Sequence, residues 1–262
     1  MRTTIIIFLL VFSSMSLFSQ TIFTDTSFPE KQLVTGEQPI YHVAKAKSPI
    51  VADGKMDEEC WQRAEVRTLD YFFRRDAPVD VQQTKFRMLY DDQNLYLFYE
   101  FEDFSLTARE TQHDGRTYID DCAEFFVVPI PDSAYMHYGF EVNIWGVKYD
   151  YIVLWQFHGR NVFIPDYNPQ YEVGVTYEGT INDDTDIDKG WNIEFVIPLR
   201  VFSGFNTRNL AGQRWAFQVV RQDRNKVDDR FRSTSTLFPT YDPAVDVHPP
   251  NRFGLMEFMP AD

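Results

Sequence analysis

The sequence predicts an all-β protein, an antiparallel β-sandwich with immunoglobulin-like or jelly-roll-like architecture. Apolar and polar residues alternate in many short segments, turn signals separate them roughly every 8 to 14 residues, and helical periodicity is almost absent. Tyr and Phe, which favour strands, dominate an aromatic content of 16%. The 262 residues suffice for one large domain with a sizeable core.

The predicted elements follow the chain in order. After a first strand at 41–46, Asp57 caps one helical turn that directs Trp61 inward as a core plug. Residues 84–90 and 95–101 both alternate and are joined by a polar turn, which is typical of a hairpin. Further strands are predicted as a pair within 118–145 and at 149–155, 172–180, 191–198, 215–221 and 252–258.

The strand pair within 118–145 carries polar groups where a core strand would be apolar. Glu124 lies in an apolar run, and Glu141 and Asn143 alternate with Phe140 and Val142. Burial of such groups without partners costs roughly 2 to 7 kcal/mol each. This face of the sheet is therefore expected to be exposed to solvent or to bind a ligand.

Residues 1–20 are interpreted as a cleaved signal peptide. Arg2 is followed by a short apolar segment and by small residues that suit cleavage after Ser16 or after Ser19, and no lipobox cysteine follows. An uncleaved anchor is the alternative. Residues 21–40 are predicted to be an irregular arm, and 41–262 the sandwich. The protein is thus expected to be exported, soluble, and periplasmic or extracellular.

The formal net charge of −14 argues against nucleic acid and anionic membrane surfaces as partners. No segment after the signal peptide is long and apolar enough for membrane insertion. The charge is compatible with neutral sugars and with bound cations. The two cysteines, Cys60 and Cys122, either pair in an oxidising compartment or stay as buried thiols.

Six motifs in order resemble carbohydrate-binding module family 9. They cover about residues 41–259 and occupy 53–61, 86–97, 121–126, 140–143, 190–198 and 252–254. The resemblance implies a β-sandwich related to DOMON-type domains, binding of sugars such as chain ends of plant polysaccharides, and structural calcium. It places Tyr118 at the first of two tryptophans that sandwich a sugar ring, and Glu124 at a polar contact. The stretch 241–250 holds no second tryptophan, and Glu141 stands where an arginine is expected.

A sugar site needs a flat aromatic face and planar polar groups for the hydroxyls. Tyr118 and Trp145 are the candidate faces. The polar candidates are Glu124, Glu141, Asn143, Arg221 and Arg252. The alternatives are a structural pair between Glu124 and one of these arginines, a satisfied strand amide at Asn143, and a hairpin-tip or core role for Trp145.

Calcium needs about six to eight oxygen ligands, which usually converge from several loops. Asp103, Asp120 and Asp121 flank one loop and are the candidate ligands. An acidic turn at 182–188 is a second cluster, for which a solvated loop is the alternative.

The sequence thus predicts a secreted, non-catalytic carbohydrate-binding protein that supports polysaccharide catabolism. The resemblance implies that it binds xylan-like or cellulose-like chain ends, either alone or beside a co-secreted glycoside hydrolase. A hydrolase-associated or weakly hydrolytic protein is the first alternative, with Glu124, Glu141 and Glu194 as carboxylates. A haem-binding domain is the second, and it needs a Met and a His as axial ligands. Its candidate ligands are Met88, Met136, His137 and His158.

Overall fold

The computed structural model describes residues 38–73, 81–131, 136–157, 160–202, 204–228, 232–239 and 246–261. The predicted signal peptide and most of the predicted arm lie outside these residues. The strands are β1 (Ile40–Lys45), β2 (Arg67–Thr68), β3 (Tyr71–Phe73), β4 (Thr84–Tyr90), β5 (Asn94–Glu102), β6 (Cys122–Val128), β7 (Met136–Asn143), β8 (Lys148–Phe157), β9 (Arg160–Ile164), β10 (Glu172–Glu178), β11 (Gly190–Pro198), β12 (Arg214–Asp223), β13 (Ser233–Thr236) and β14 (Gly254–Phe258). Short 3-10 helices span Glu59–Arg63, Thr117–Ile119, Leu199–Phe202 and Pro250–Arg252.

The strands form two layers that we call sheet I and sheet II. Sheet I has the order β10-β11-β5-β4, and sheet II has the order β14-β12-β6-β7-β8-β9. The predicted hairpin is confirmed as β4 and β5, which pair from Thr84 opposite Phe101 to Tyr90 opposite Leu95. The predicted all-β sandwich is therefore the fold of this chain.

Strand β1 joins the two sheets and departs from a purely antiparallel arrangement. Its first part, Ile40 to Val43, pairs in parallel with β14, and its last two residues pair in parallel with β4. Alternation within a single strand does not encode the direction of its neighbours, so the sequence could not predict this parallel pairing.

The main core lies between the sheets and is rich in aromatic residues. Phe86 of sheet I lies 6.4 Å from Phe217 of sheet II, measured between ring centroids. Tyr99 packs beside Phe86 at 5.1 Å, and Phe125 packs beside Phe217 at 6.3 Å. Side chains of the opposite parity point to the outer face of each sheet. Polar strand residues that contact solvent or a ligand therefore lie on these outer faces.

The outer face of sheet I is partly covered by the segment that contains the first 3-10 helix. Trp61 is 2% exposed and packs edge-on against Phe98, which confirms its predicted role as a core plug. Its Nε1 donates to Glu194 Oε1 at 3.1 Å. Cys60 belongs to this cover, whereas Cys122 starts β6 in sheet II, and both are free and buried. The buried-thiol alternative is thus observed rather than the disulfide.

Within the described residues, no helix has the length and apolar character needed to cross a membrane.

Candidate functional site

Two glutamates face each other across the central strands of sheet II. Glu124 of β6 lies directly opposite Glu141 of β7, and we call them the carboxylate pair. Both have the parity of Phe126, which belongs to the apolar cluster on the outer face of the sheet. They are only 1% and 3% exposed. The sequence prediction that these two residues share one site is consistent with this geometry.

A glycine allows one wall of the site to form. The ring of Tyr151 in β8 lies over Gly139, where an added Cβ would come within 2.4 Å of the ring. This position lets the Tyr151 hydroxyl donate to Glu141 Oε1 at 2.6 Å. Any larger residue at 139 would displace the ring and remove this donor.

Glu124 is held by an oriented amide of β12. Gln222 Nε2 donates to Glu124 Oε1 at 2.9 Å. Arg232 Nε and Thr234 Oγ1 both donate to Gln222 Oε1 at 2.8 Å, which fixes the direction of the amide. In contrast, the buried Glu141 Oε2 has no hydrogen-bond partner in the described part of the chain.

Half-buried side chains form the rim above the carboxylate pair. Tyr118 and Tyr149 lie with ring centroids 6.3 Å apart, and the Arg232 guanidinium stands 5.4 Å from the Tyr118 ring centre. Tyr118 therefore presents an aromatic ring beside the carboxylate pair, and its contact with a sugar stays a prediction. The rim thus consists of the rings of Tyr118 and Tyr149 and the Arg232 guanidinium. The floor consists of the acceptor oxygens of the carboxylate pair.

Burial dominates the electrostatics of the floor. Loss of solvent raises the pKa of Glu124 to about 7, although the Gln222 hydrogen bond partly offsets this effect. Burial raises the pKa of Glu141 well above its ordinary value, and the nearby charge of Glu124 adds to the shift. Both shifts favour the protonated acids, so near neutral pH the carboxylate pair carries less than its full two negative charges.

Asn143 does not belong to the site, contrary to the prediction. Its Nδ2 donates to Glu110 O at 2.9 Å and to Asp120 Oδ2 at 3.0 Å. Its Oδ1 accepts from the backbone N–H groups of Trp145 and Val147 at 3.1 and 3.0 Å. These four bonds use the full capacity of the amide, so the alternative of a satisfied strand amide is correct.

Of the two arginines predicted for the site, Arg221 is placed elsewhere. Arg221 points into the space between the sheets, where its Nη2 lies 3.1 Å from Asp103 Oδ2 and 3.3 Å from Asp223 Oδ1. Arg252 lies in the turn before β14, and Arg232 instead is the arginine whose charge acts on the carboxylate pair. The proposed structural pair of Glu124 with Arg221 is therefore wrong.

Trp145 is the exposed residue at the turn between β7 and β8. It is 45% exposed, and its Nε1 donates to Ala108 O at 3.2 Å. This is the hairpin-tip alternative. Its ring is open to solvent but is not among the rings that form the rim.

The predicted calcium residues are only partly brought together. Asp103 and Asp121 meet Asp223, all buried, with candidate ligand atoms within 4.8 Å of one another. Asp120 is excluded from this cluster, since its Oδ2 accepts from Glu110 N and from Asn143. Burial raises the pKa of Asp103 to about 7 and that of Asp121 well above its ordinary value, the neighbouring carboxylates adding to the latter shift.

The three-carboxylate cluster is a candidate for a hard cation. The Arg221 guanidinium supplies one positive charge to these carboxylates, and the charge of Arg224 also acts on Asp121. Carboxylate oxygens are the donors that calcium prefers. In the 182–188 turn, Asp188 is buried and accepts from Leu106 N and Thr180 N, whereas Asp183 bonds only within its own loop.

The fold separates the candidate haem ligands from one another, and it separates Glu194 from the other two carboxylates of the hydrolase alternative. Met88 lies in the core between the sheets, whereas His137 lies on the outer face of sheet II beside His248, with Nε2 3.2 Å from its Nδ1. His158 lies outside the described residues. Glu194 bonds Trp61 on the outer face of sheet I, on the far side of the sandwich from the carboxylate pair.

Sequence reasoning missed several residues of the site. Gln222 shares parity with Val220 and Ala216 in β12, so the period of two could have placed it outward and Arg221 inward. The same period links Tyr149 to Tyr151 in β8. No local signal identifies Arg232, because it reaches the site from outside the strand pair.

Comparison with known proteins is consistent with this architecture. A family profile described as carbohydrate-binding family 9 matches residues 56–258. A family 9 module from Caldicellulosiruptor kristjanssonii, solved with cellotriose, has a TM-score of 0.59 and 16% identity, covering 86% of this chain and 95% of that chain. The same kind of module solved with glucose has a TM-score of 0.59 and 17% identity, covering 84% and 97%.

A protein from Bacteroides uniformis, provisionally described as carbohydrate-binding, is also similar, with a TM-score of 0.67, 19% identity and coverage of 84% of this chain and 99% of that chain. No curated protein matches the chain. At these identities the solved structures show the fold alone, whereas the family profile spans more than half of the sequence. The chain belongs to carbohydrate-binding family 9.

Proposed function

We propose that this protein binds an oligosaccharide or a polysaccharide chain end, without hydrolysing it, on the outer face of sheet II. The observation that carries the proposal is the carboxylate pair, buried and incompletely hydrogen-bonded beneath two tyrosine rings. Membership in the family and the sugars present in two similar structures support it.

The chemistry of the site matches sugar recognition. The face of Tyr118 can pack against the C–H side of a sugar ring, while ionised carboxylates accept hydrogen bonds from hydroxyl groups below. Gln222 holds Glu124 in one orientation before any ligand arrives, which lowers the entropic cost of binding. Arg232 and the two rings cover the floor, so binding requires these rim side chains to move.

The proposal includes the setting in which the protein works. We propose export through a cleaved signal peptide and a role in catabolism of xylan-like or cellulose-like polysaccharides, alongside a co-secreted hydrolase. N-terminal sequencing of the exported protein tests the first part. A start at Leu17 or Gln20 is expected, and a retained Met1 would contradict it.

Calorimetric titration with cello- and xylo-oligosaccharides tests sugar binding. Tyr118→Ala is expected to weaken binding about tenfold or more, because it removes a ring face worth roughly 1.5 kcal/mol. Tyr177→Ala is the matched control, since Tyr177 is an exposed tyrosine of β10 in sheet I. Equal losses in both variants would place the ligand elsewhere, and no binding by folded protein to any glycan would end the proposal.

Hydrolysis is the competing outcome of the same experiment. Candidate ligand atoms of the carboxylate pair lie within 4.8 Å of each other, which is close to the spacing of about 5 to 5.5 Å in retaining glycosidases. Reducing ends are therefore measured after each titration. Their release by the wild type but not by Glu124→Gln would replace binding with catalysis.

We also propose that a structural calcium ion binds at Asp103, Asp121 and Asp223. The support is their mutual burial and the presence of one salt-bridged arginine, Arg221, against three carboxylates in the described part of the chain. Bound calcium would supply further positive charge and join the loop before β6 to the end of β12.

A further inference from the structure

Among the described residues, neither glutamate of the carboxylate pair forms a salt bridge, and Arg232 acts on both only through its nearby charge. The ionisable and charged groups that face the pair are Cys122, Tyr149, Tyr151 and Arg232. Arg232 bonds the Gln222 amide and stands over the Tyr118 ring, and in the described part of the chain it forms no salt bridge with either glutamate. Elsewhere in the same molecule, Arg221 lies directly between Asp103 and Asp223.

The donors around the pair are also too few. Gln222 donates to Glu124, Tyr151 donates to Glu141, and the Thr117 hydroxyl also lies close to Glu141. Two carboxylates offer about eight acceptor sites when both are ionised. Glu141 Oε2 is buried without a partner within the described residues, in a side chain that is 3% exposed. A ligand group with several N–H or O–H donors and a positive charge would therefore complement the acceptors of the floor.

A metal ion suits this floor less well than an ammonium group. The third ligand-type residue nearby is Cys122, so the described residues offer a metal ion two carboxylates and one thiol. A hard cation usually takes about six to eight oxygen ligands, which is more than these residues provide. An ammonium group offers three donors, and tyrosine faces such as those of the rim favour a nearby cation.

We propose that the ligand is a sugar with a free amine, a glucosamine-type unit whose ammonium group lies between Glu124 and Glu141 and whose ring lies against Tyr118. This inference rests on the proposed sugar-binding function and specifies its ligand class. An N-acetylated sugar or a plain glucose unit lacks the charge and would leave Glu141 Oε2 with a neutral donor at most.

Calorimetric titration at about neutral pH compares glucosamine oligomers with N-acetylglucosamine oligomers and cello-oligomers of equal length, with the protein at two salt concentrations. The amine series is expected to bind about tenfold tighter than either neutral series, because a charge-assisted bond to a buried carboxylate adds roughly 1.4 kcal/mol or more. Glu141→Gln is expected to abolish this preference while neutral sugars still bind. Lys85→Gln, on the outer face of sheet I, is the control and should change neither series.

The outcomes separate the two proposals. Equal or tighter binding of the neutral series, or an amine preference that survives Glu141→Gln, overturns the amine inference and leaves sugar binding intact. Failure of all three series to bind folded protein overturns both. A stoichiometric divalent ion at Glu124 and Glu141, measured by elemental analysis and lost in Glu141→Gln, would also overturn the inference.

Discussion

Replacement of Asn143 by alanine separates a structural amide from a ligand contact. The substitution leaves the N–H groups of Trp145 and Val147 without their acceptor, and the acceptors at Glu110 and Asp120 without their donor. Each such bond contributes about 1 kcal/mol net, and more when a charged partner is buried. The free energy of unfolding should therefore fall by about 3 to 5 kcal/mol.

Urea unfolding monitored by tryptophan fluorescence measures this loss as a lower midpoint with an unchanged slope. Asn192→Ala is the matched control, because this half-buried strand amide makes a single long bond of 3.4 Å to Thr176. Its cost should stay near 0.5 kcal/mol. Sugar affinity of folded Asn143→Ala should match that of the wild type. A loss below about 1 kcal/mol together with tenfold weaker sugar binding would refute the structural role.

Three further predictions concern stability and chemistry. Burial lowers the pKa of His248 to about 4, so the unfolded chain takes up a proton first as pH falls below about 6.5. Neutral His248 therefore contributes about 3 kcal/mol of stability above that pH, and this contribution is lost by about pH 4. The stability difference between wild type and His248→Gln should shrink over this range, and a pH-independent difference would contradict the prediction. Cys60 and Cys122 should both be unreactive to a thiol reagent in the native protein and both react in urea, whereas no reaction in urea would indicate a disulfide. A chelator should lower the melting temperature, added calcium should restore it, and Asp121→Asn should remove this response; a wild type that ignores both additions would refute the calcium site.

The parts of the fold that could be predicted are the segments with strong local periodicity. The hairpin at 84–101 has strong alternation on both sides of a polar turn, so both its strands and its pairing were predictable. The joining role of β1 was not, because its six residues divide between two sheets. That division depends on where two distant strands end, which no local pattern records.

The candidate site shows the same limit. Glu124 and Glu141 were predicted together because each interrupts an apolar run on neighbouring strands. Arg221 was assigned to the wrong face, although its parity with Val219 already indicated the core. Asp223, Gln222 and Arg232 were missed because their roles depend on contacts with residues about a hundred positions away or with the opposite sheet.

By itself, the sequence determined an all-β sandwich, its family and the two glutamates at the centre of the candidate site, because apolar alternation and motif order are properties of the chain. The tertiary structure alone decided that Asn143 is a satisfied structural amide, that Arg221 serves the buried aspartates, and that neither glutamate of the carboxylate pair forms a salt bridge among the described residues. The physical reason is that hydrogen-bond and charge balance depend on all neighbours of a buried group at once. Those neighbours come from distant strands that meet only in the folded sandwich.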